Sequence, residues 1–140
     1  RVNMSFGNTT ENDLAQLIFN KVALSWDANN TLYISLHTAD PGEAGSQTTS
    51  ECAYTSYARV AVTRNGTGGF TVTGGAVTNA ALVQFPTATG GTETATYVAI
   101  GTASSGAGQI IASGALNASL GISSGIQPQF PAGDLDFSLD

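Results

Sequence analysis

The sequence predicts an all-β protein, a jelly-roll-like antiparallel β-sandwich with one N-terminal α-helix. Three observations lead there: short stretches of alternating apolar and polar residues, Gly-rich turns at close spacing, and almost no charge in the second half. Between Arg64 and Glu93 there is no Asp, Glu, Lys or Arg, and none again from Glu93 to Asp134. Charged residues make up 10% of the chain, far below the roughly 25% of an ordinary globular domain. Thr, Ser, Ala and Gly take their place around short Val, Ile, Leu and Phe runs, as a neutral sheet surface would require.

The helix comes first, over about residues 10–25. Thr9 or Thr10 offers a hydroxyl to cap it, and Glu11 and Asp13 suit the positive end of the helix dipole. Leu14, Leu17, Ile18, Val22 and Leu24 form a broad apolar stripe expected to cover a sheet, with Lys21 snorkelling from it. Trp26-Asp27-Ala28-Asn29-Asn30 ends the segment. Ahead of it, residues 1–8 read as an N-terminal arm, with residues 9–140 as a single β-sandwich domain.

Strands follow. Leu32, Ile34 and Leu36 alternate with Tyr33, Ser35 and His37, the period of a half-buried strand with its polar side toward water. Asp40-Pro41-Gly42 is a turn, since Pro presets φ and Gly accepts the next conformation. A polar loop runs to about Glu51, and Tyr57 to Thr63 is the next strand. Further strands are expected near 69–74, 76–79, 82–86, 93–102, 108–117 and 121–130. The chain ends in the alternation Asp134-Leu135-Asp136-Phe137-Ser138-Leu139-Asp140. About eight or nine strands at this spacing, without helices between them, point to a sandwich rather than a parallel α/β sheet. Spacing alone does not separate a jelly roll from an immunoglobulin-like order; the jelly roll is the expectation.

Composition limits function. A net charge of −6 disfavours nucleic acid, whose phosphates demand Lys and Arg, and equally an anionic membrane surface. Cys52 has no second cysteine to pair with, so the chain is expected to fold in a reducing cytoplasm. No apolar run approaches the length of a membrane-spanning helix, and the first residues do not resemble a signal peptide.

Chemistry is sparse. Any histidine-based mechanism must use His37, which the alternation places on a polar strand face, as a surface residue. Cys52 reads as a small buried or semi-buried side chain. Asp134, Asp136 and Asp140 are oxygen ligands suited to calcium, but without an EF-hand spacing they read as an acidic solvent face. Trp26, Tyr33, Tyr54, Tyr57 and Tyr97 are possible sugar-stacking rings, though packing is the simpler role. The expectation is a non-enzymatic protein with no catalytic residue, cofactor or metal.

Leu32-Tyr33-Ile34-Ser35-Leu36-His37-Thr38-Ala39-Asp40-Pro41-Gly42, with Tyr54-Thr55-Ser56-Tyr57-Ala58-Arg59-Val60, resembles a family of short tailed-phage virion proteins. Phe85-Pro86-Thr87-Ala88-Thr89-Gly90-Gly91 and Ala99-Ile100-Gly101-Thr102-Ala103-Ser104-Ser105-Gly106-Ala107-Gly108 extend the likeness over about residues 31–130. Members include tail fibres and jelly-roll capsid cement (decoration) proteins of podophages. The resemblance implies a cement protein on the outside of the head, bound to the major capsid protein and to itself as a dimer or trimer. Nucleic acid and membrane are not expected partners. Arg1, Phe6, Arg59 and Arg64 are the candidate capsid contacts. The alternative is a tail-fibre or receptor-binding module.

Overall fold

In the computed structural model, which describes residues 2–138, ten strands and one helix follow one another along the chain. They are β1 (Val2–Phe6), α1 (Asn8–Asn20), β2 (Thr31–His37), β3 (Val60–Thr63), β4 (Phe70–Thr73) and β5 (Ala76–Asn79). After these come β6 (Val83–Gln84), β7 (Glu93–Gly101), β8 (Ile110–Ile122), β9 (Gln129–Phe130) and β10 (Leu135–Ser138). Eight of them form one sheet in the order β3-β2-β7-β8-β1-β10-β5-β4, and β6 pairs with β9. The expected all-β sandwich with one helix is therefore present. Pairing is antiparallel except between β1 and β10.

The segment expected to be an arm is the strand that joins the two halves of the sheet. Val2, Asn3 and Met4 pair with Leu135, Asp136 and Phe137 of β10, whereas Ser5 and Phe6 pair with Ser113 and Ala112 of β8. The sequence signal is present on inspection: Val2, Met4 and Phe6 alternate with Asn3 and Ser5, and Val2 is fully in the core. A five-residue alternation is short enough to be mistaken for a terminus without a period.

The helix differs from expectation at both ends. Its N-cap is Gly7, in extended conformation and without a side-chain cap bond. A Cβ at Gly7 would press on the Ile110 carbonyl, so the close approach to β8 requires glycine here. Lys21 adopts the left-handed conformation, and the Val22 N–H reaches back to the Gln16 carbonyl at 3.1 Å, which ends the helix. The packing face differs as well. Thr10 is buried and donates to the Ile110 carbonyl, and the Gln109 amide donates to Thr10 and Asp13. Of the apolar stripe, Leu17, Ile18 and Val22 are left exposed, whereas Leu14 and Leu24 are half-buried.

One core holds the sandwich. Ile34, Leu36, Val98, Ile100 and Ile122 from one half meet Val2 and Leu135 from the other, with Val83 and Phe130 of the small sheet and Phe85, which follows β6, beside them. Leu135 and Phe137 point inward as the terminal alternation predicts. Asn79 ties the last hairpin down: its side-chain amide donates to the Ala81 and Pro131 carbonyls, and its oxygen accepts from the Leu135 N–H. The strand predicted over 108–117 runs on to Ile122, and only Gln129 and Phe130 of the predicted 121–130 strand pair separately.

Candidate interaction surfaces

His37 is fully buried, not on the surface. The 43–57 segment folds over the polar side of β2, so Ser35 and His37 are covered as completely as Ile34 and Leu36. His37 Nδ1 lies 2.8 Å from the Thr49 carbonyl, which can only accept, so this nitrogen carries the proton. Nε2 is then the acceptor for the Ser35 hydroxyl, also at 2.8 Å. A serine bonded to an imidazole whose other nitrogen is anchored has the connectivity of an activated nucleophile. Here both groups have zero exposure, so no substrate atom can reach them. The pair is a satisfied polar contact inside the fold.

Burial lowers the His37 pKa below its ordinary 6.5; the Thr49 bond and Glu51 oppose the shift, and Arg59 adds slightly to it. A histidine with a depressed folded pKa stabilises the fold fully above its unfolded pKa, and the contribution is lost as pH falls toward the folded pKa. Stability should therefore decline below about pH 6.5, by at most about 1.4 kcal/mol per pH unit from this one proton. The His37 ring resonance in NMR should still be that of the neutral imidazole at pH 6.5. Half-protonation at that pH would disprove the assignment.

The other reactive groups are equally committed. Cys52 is buried, and its thiol is pushed up to about 12 by burial and by the nearby Glu93 and Glu51. It is therefore not a thiolate nucleophile at neutral pH. Among the described residues no group of three or more His, Cys, Asp or Glu could hold a metal ion. Asp140, one of the acidic residues considered for calcium, lies outside the described residues.

Of the candidate capsid contacts, Arg59, Arg64 and Phe6 are engaged with residues of the same chain. Arg59 is clamped by Glu51 in a two-pronged pair (Nε–Oε2 2.7 Å, Nη2–Oε1 2.8 Å), and its remaining donors reach the Ala103 and Gly106 carbonyls. Arg64 donates to the Asp27 and Asn29 carbonyls and lies 5.0 Å over the Trp26 ring. Phe6 packs on Phe137 with ring centres 4.3 Å apart. Arg1 lies outside the described residues. Of the tyrosines offered as sugar platforms, Tyr54 and Tyr57 are packed too. The Tyr54 hydroxyl donates to the Pro86 carbonyl and that of Tyr57 to Glu51. Burial pushes the Tyr54 phenol up to about 12 and raises that of Tyr57, to which the Glu51 bond adds.

What the surface does offer is apolar. Leu17, Ile18 and Phe19 in the last turn of α1 and Val22 just beyond it are 40%, 69%, 82% and 51% exposed. Leu17, Ile18 and Val22 belong to the apolar stripe expected to cover a sheet, of which Leu14 and Leu24 are half-buried; Phe19, the most exposed of the group, lies outside that stripe. A second feature lies where the large sheet fails to close. β3 and β4 are consecutive in the chain, joined by residues 64–69, yet they form its two opposite edges. Between the sheet halves is a cavity of about 540 Å³ lined mainly by apolar side chains, including Phe6, Leu32, Phe70, Val77, Ile100 and Phe137. Val72 of the β4 edge lines it as well and is 68% exposed.

The family model described as Podophage GP4 fiber I protein gp80 matches residues 5–138. Among curated proteins none matches the chain. Among the described residues, no helix is long and apolar enough to cross a membrane.

Proposed function

The chain belongs to the podophage GP4 fiber I protein family, and from that premise we propose that it is a structural, non-catalytic subunit of a phage fibre. The observation that carries this reading is the exposed apolar surface at the C-terminal end of α1, where Leu17, Ile18 and Phe19 in the last turn and Val22 just beyond it stand in solvent. Leaving several large apolar side chains together in water is unfavourable for a lone domain, and such patches mark contact surfaces. We take its partner to be a neighbouring virion subunit presenting a complementary apolar surface. The buried Ser35, His37 and Cys52 fit a protein that does no chemistry.

The sequence favoured a cement protein on the head. The family match speaks of a fibre, and nothing in it singles out the capsid, so the fibre reading takes precedence. Receptor binding through Tyr54 and Tyr57 loses its support, since both hydroxyls and much of their rings are taken up inside the fold. An acidic chain also suits the outside of the particle, away from packaged DNA.

Antibody labelling of intact virions in the electron microscope should find a few copies at the tail. Labelling spread over the head would restore the cement role and overturn this one. Phe19→Lys should leave the isolated protein folded, with stability within about 0.5 kcal/mol because the position is exposed, but should deplete it from purified virions. Full incorporation of the variant would remove the helix face from the proposal.

A further inference from the structure

We propose that the β4 edge is a self-association site, at which two copies of this chain pair their β4 strands antiparallel about a two-fold axis through Val72. This contact stands independently of the fibre reading. It follows from the register of the β4–β5 hairpin. Gly74 and Gly75 have φ of 58° and 85°, the two positive values that a tight type I′ turn needs, and Thr73 and Ala76 close it. The closing pair of such a turn exchanges both backbone bonds, and bonded and non-bonded pairs then alternate. Thr73 and Thr71 therefore spend their backbone groups on Ala76 and Thr78, while Phe70 and Val72 direct theirs outward. The outward N–H of Phe70 is used by the loop, donating to the Asn65 carbonyl at 2.8 Å. Val72 is left with both its N–H and its C=O at an open edge.

A residue with both groups free can pair with its own copy. Across a two-fold axis, each Val72 N–H meets the other's C=O, and Thr71 of one copy stands opposite Thr73 of the second. Threonine neighbours across strands are favourable. The Val72 side chains then lie together on the face shared with Val77, Phe137 and Met4, at the mouth of the apolar cavity. Their 68% exposure would be lost to a neighbour of the same kind.

Charge points to a second copy as the occupant. Molecules carrying −6 repel one another, so they meet most readily through a surface without acidic groups. β4 and β5 lie in the stretch from Arg64 to Glu93 that contains no charged residue at all. Natural edges are usually guarded by charge, proline or a covering segment. The opposite edge has such guards, with Arg59 and Arg64 flanking β3 and β6 beside it. β4 has none. A four-residue strand buries far less than the roughly 1,200 Å² of a stable interface. The contact is therefore weak in the isolated protein and gains strength where copies are held close together in an assembly.

Val72→Cys tests this directly. A bonded antiparallel pair holds Cα atoms about 5.5 Å apart, within reach of a disulfide, and the native Cys52 is buried. With diamide as oxidant, Val72→Cys should cross-link into a dimer at least about tenfold faster than Ser104→Cys, an exposed site elsewhere, because association raises the local thiol concentration. Circular dichroism checks that both variants are folded. Equal rates would overturn the proposal. Phe19→Lys added to Val72→Cys should leave the cross-link unchanged, so a failure of the fibre reading would not imitate a failure here.

Discussion

Replacing Glu51 with alanine should cost about 3–5 kcal/mol, the usual loss when one partner of a buried ion pair is removed. The side chains of Arg59 and Glu51 are only 3% and 15% exposed, so both charges are largely withdrawn from bulk water. The Glu51 carboxylate receives two bonds from the guanidinium and a third from the Tyr57 hydroxyl at 2.7 Å. Tyr57 in turn accepts from the Leu36 N–H and stacks near Phe85 in the core. The bond to Glu51 is the largest cause raising the Arg59 pKa, but an arginine stays protonated even without such a partner, so a charged guanidinium remains when the carboxylate is gone. It would be left with the Ala103 and Gly106 carbonyls alone. Calorimetry should show the midpoint falling by roughly 10 °C or more. Glu51→Gln, which keeps an acceptor for Tyr57, should lose less. A fall below about 1 kcal/mol, the worth of a surface pair, would show that the clamp is solvated and not structural.

Periodicity made most strands legible and left their surroundings hidden. The alternation at Leu32–His37, the hairpin strands at 76–79 and the long 93–102 run all stand close to where the sequence places them. The Asp40-Pro41-Gly42 turn is present as well: the Gly42 N–H donates to the Asp40 side chain at 2.8 Å, and φ at Gly42 is 74°. Alternation tells which residues share a face, but not whether the face is covered. His37 and Ser35 look solvent-facing until the 43–57 loop closes over them, an arrangement set by contacts far along the chain. The helix stripe errs in the opposite direction. Leu17, Ile18 and Val22 belong to the pattern of a buried face yet are exposed, while the short polar Thr10 is what meets β8. A stripe that no element of its own chain covers looks the same in sequence as one that packs on the core. Arg59 likewise carries no local sign of its partner, because Glu51 reaches it only through the turn between them.

The loop that hides His37 is held by a slot for one side chain, and filling that slot should release it. Gln47 is fully buried, donating to the Tyr33 carbonyl and accepting from the Ala103 N–H. It fits because Gly101 and Gly108 lack side chains: a Cβ at either position would fall inside the Gln47 amide. Gly101→Ala must therefore push the amide out of its slot, adding overpacking of about 1–3 kcal/mol to the loss of its buried hydrogen bonds, for a total of about 2–4 kcal/mol. Gln47→Ala alone leaves the Ala103 N–H without its acceptor and should cost about 1–3 kcal/mol. The two changes share one volume, so they should not add. The double variant should be no less stable than Gln47→Ala by more than about 0.5 kcal/mol, the tolerance within which independent sites add. Additive losses in urea unfolding would mean that the slot does not limit packing. The variants also report on the loop itself: as it loosens, water reaches His37, burial no longer holds its pKa down, and the ring should titrate nearer its ordinary 6.5. A ring that stays neutral in Gly101→Ala while stability falls would separate the slot from the cover over β2.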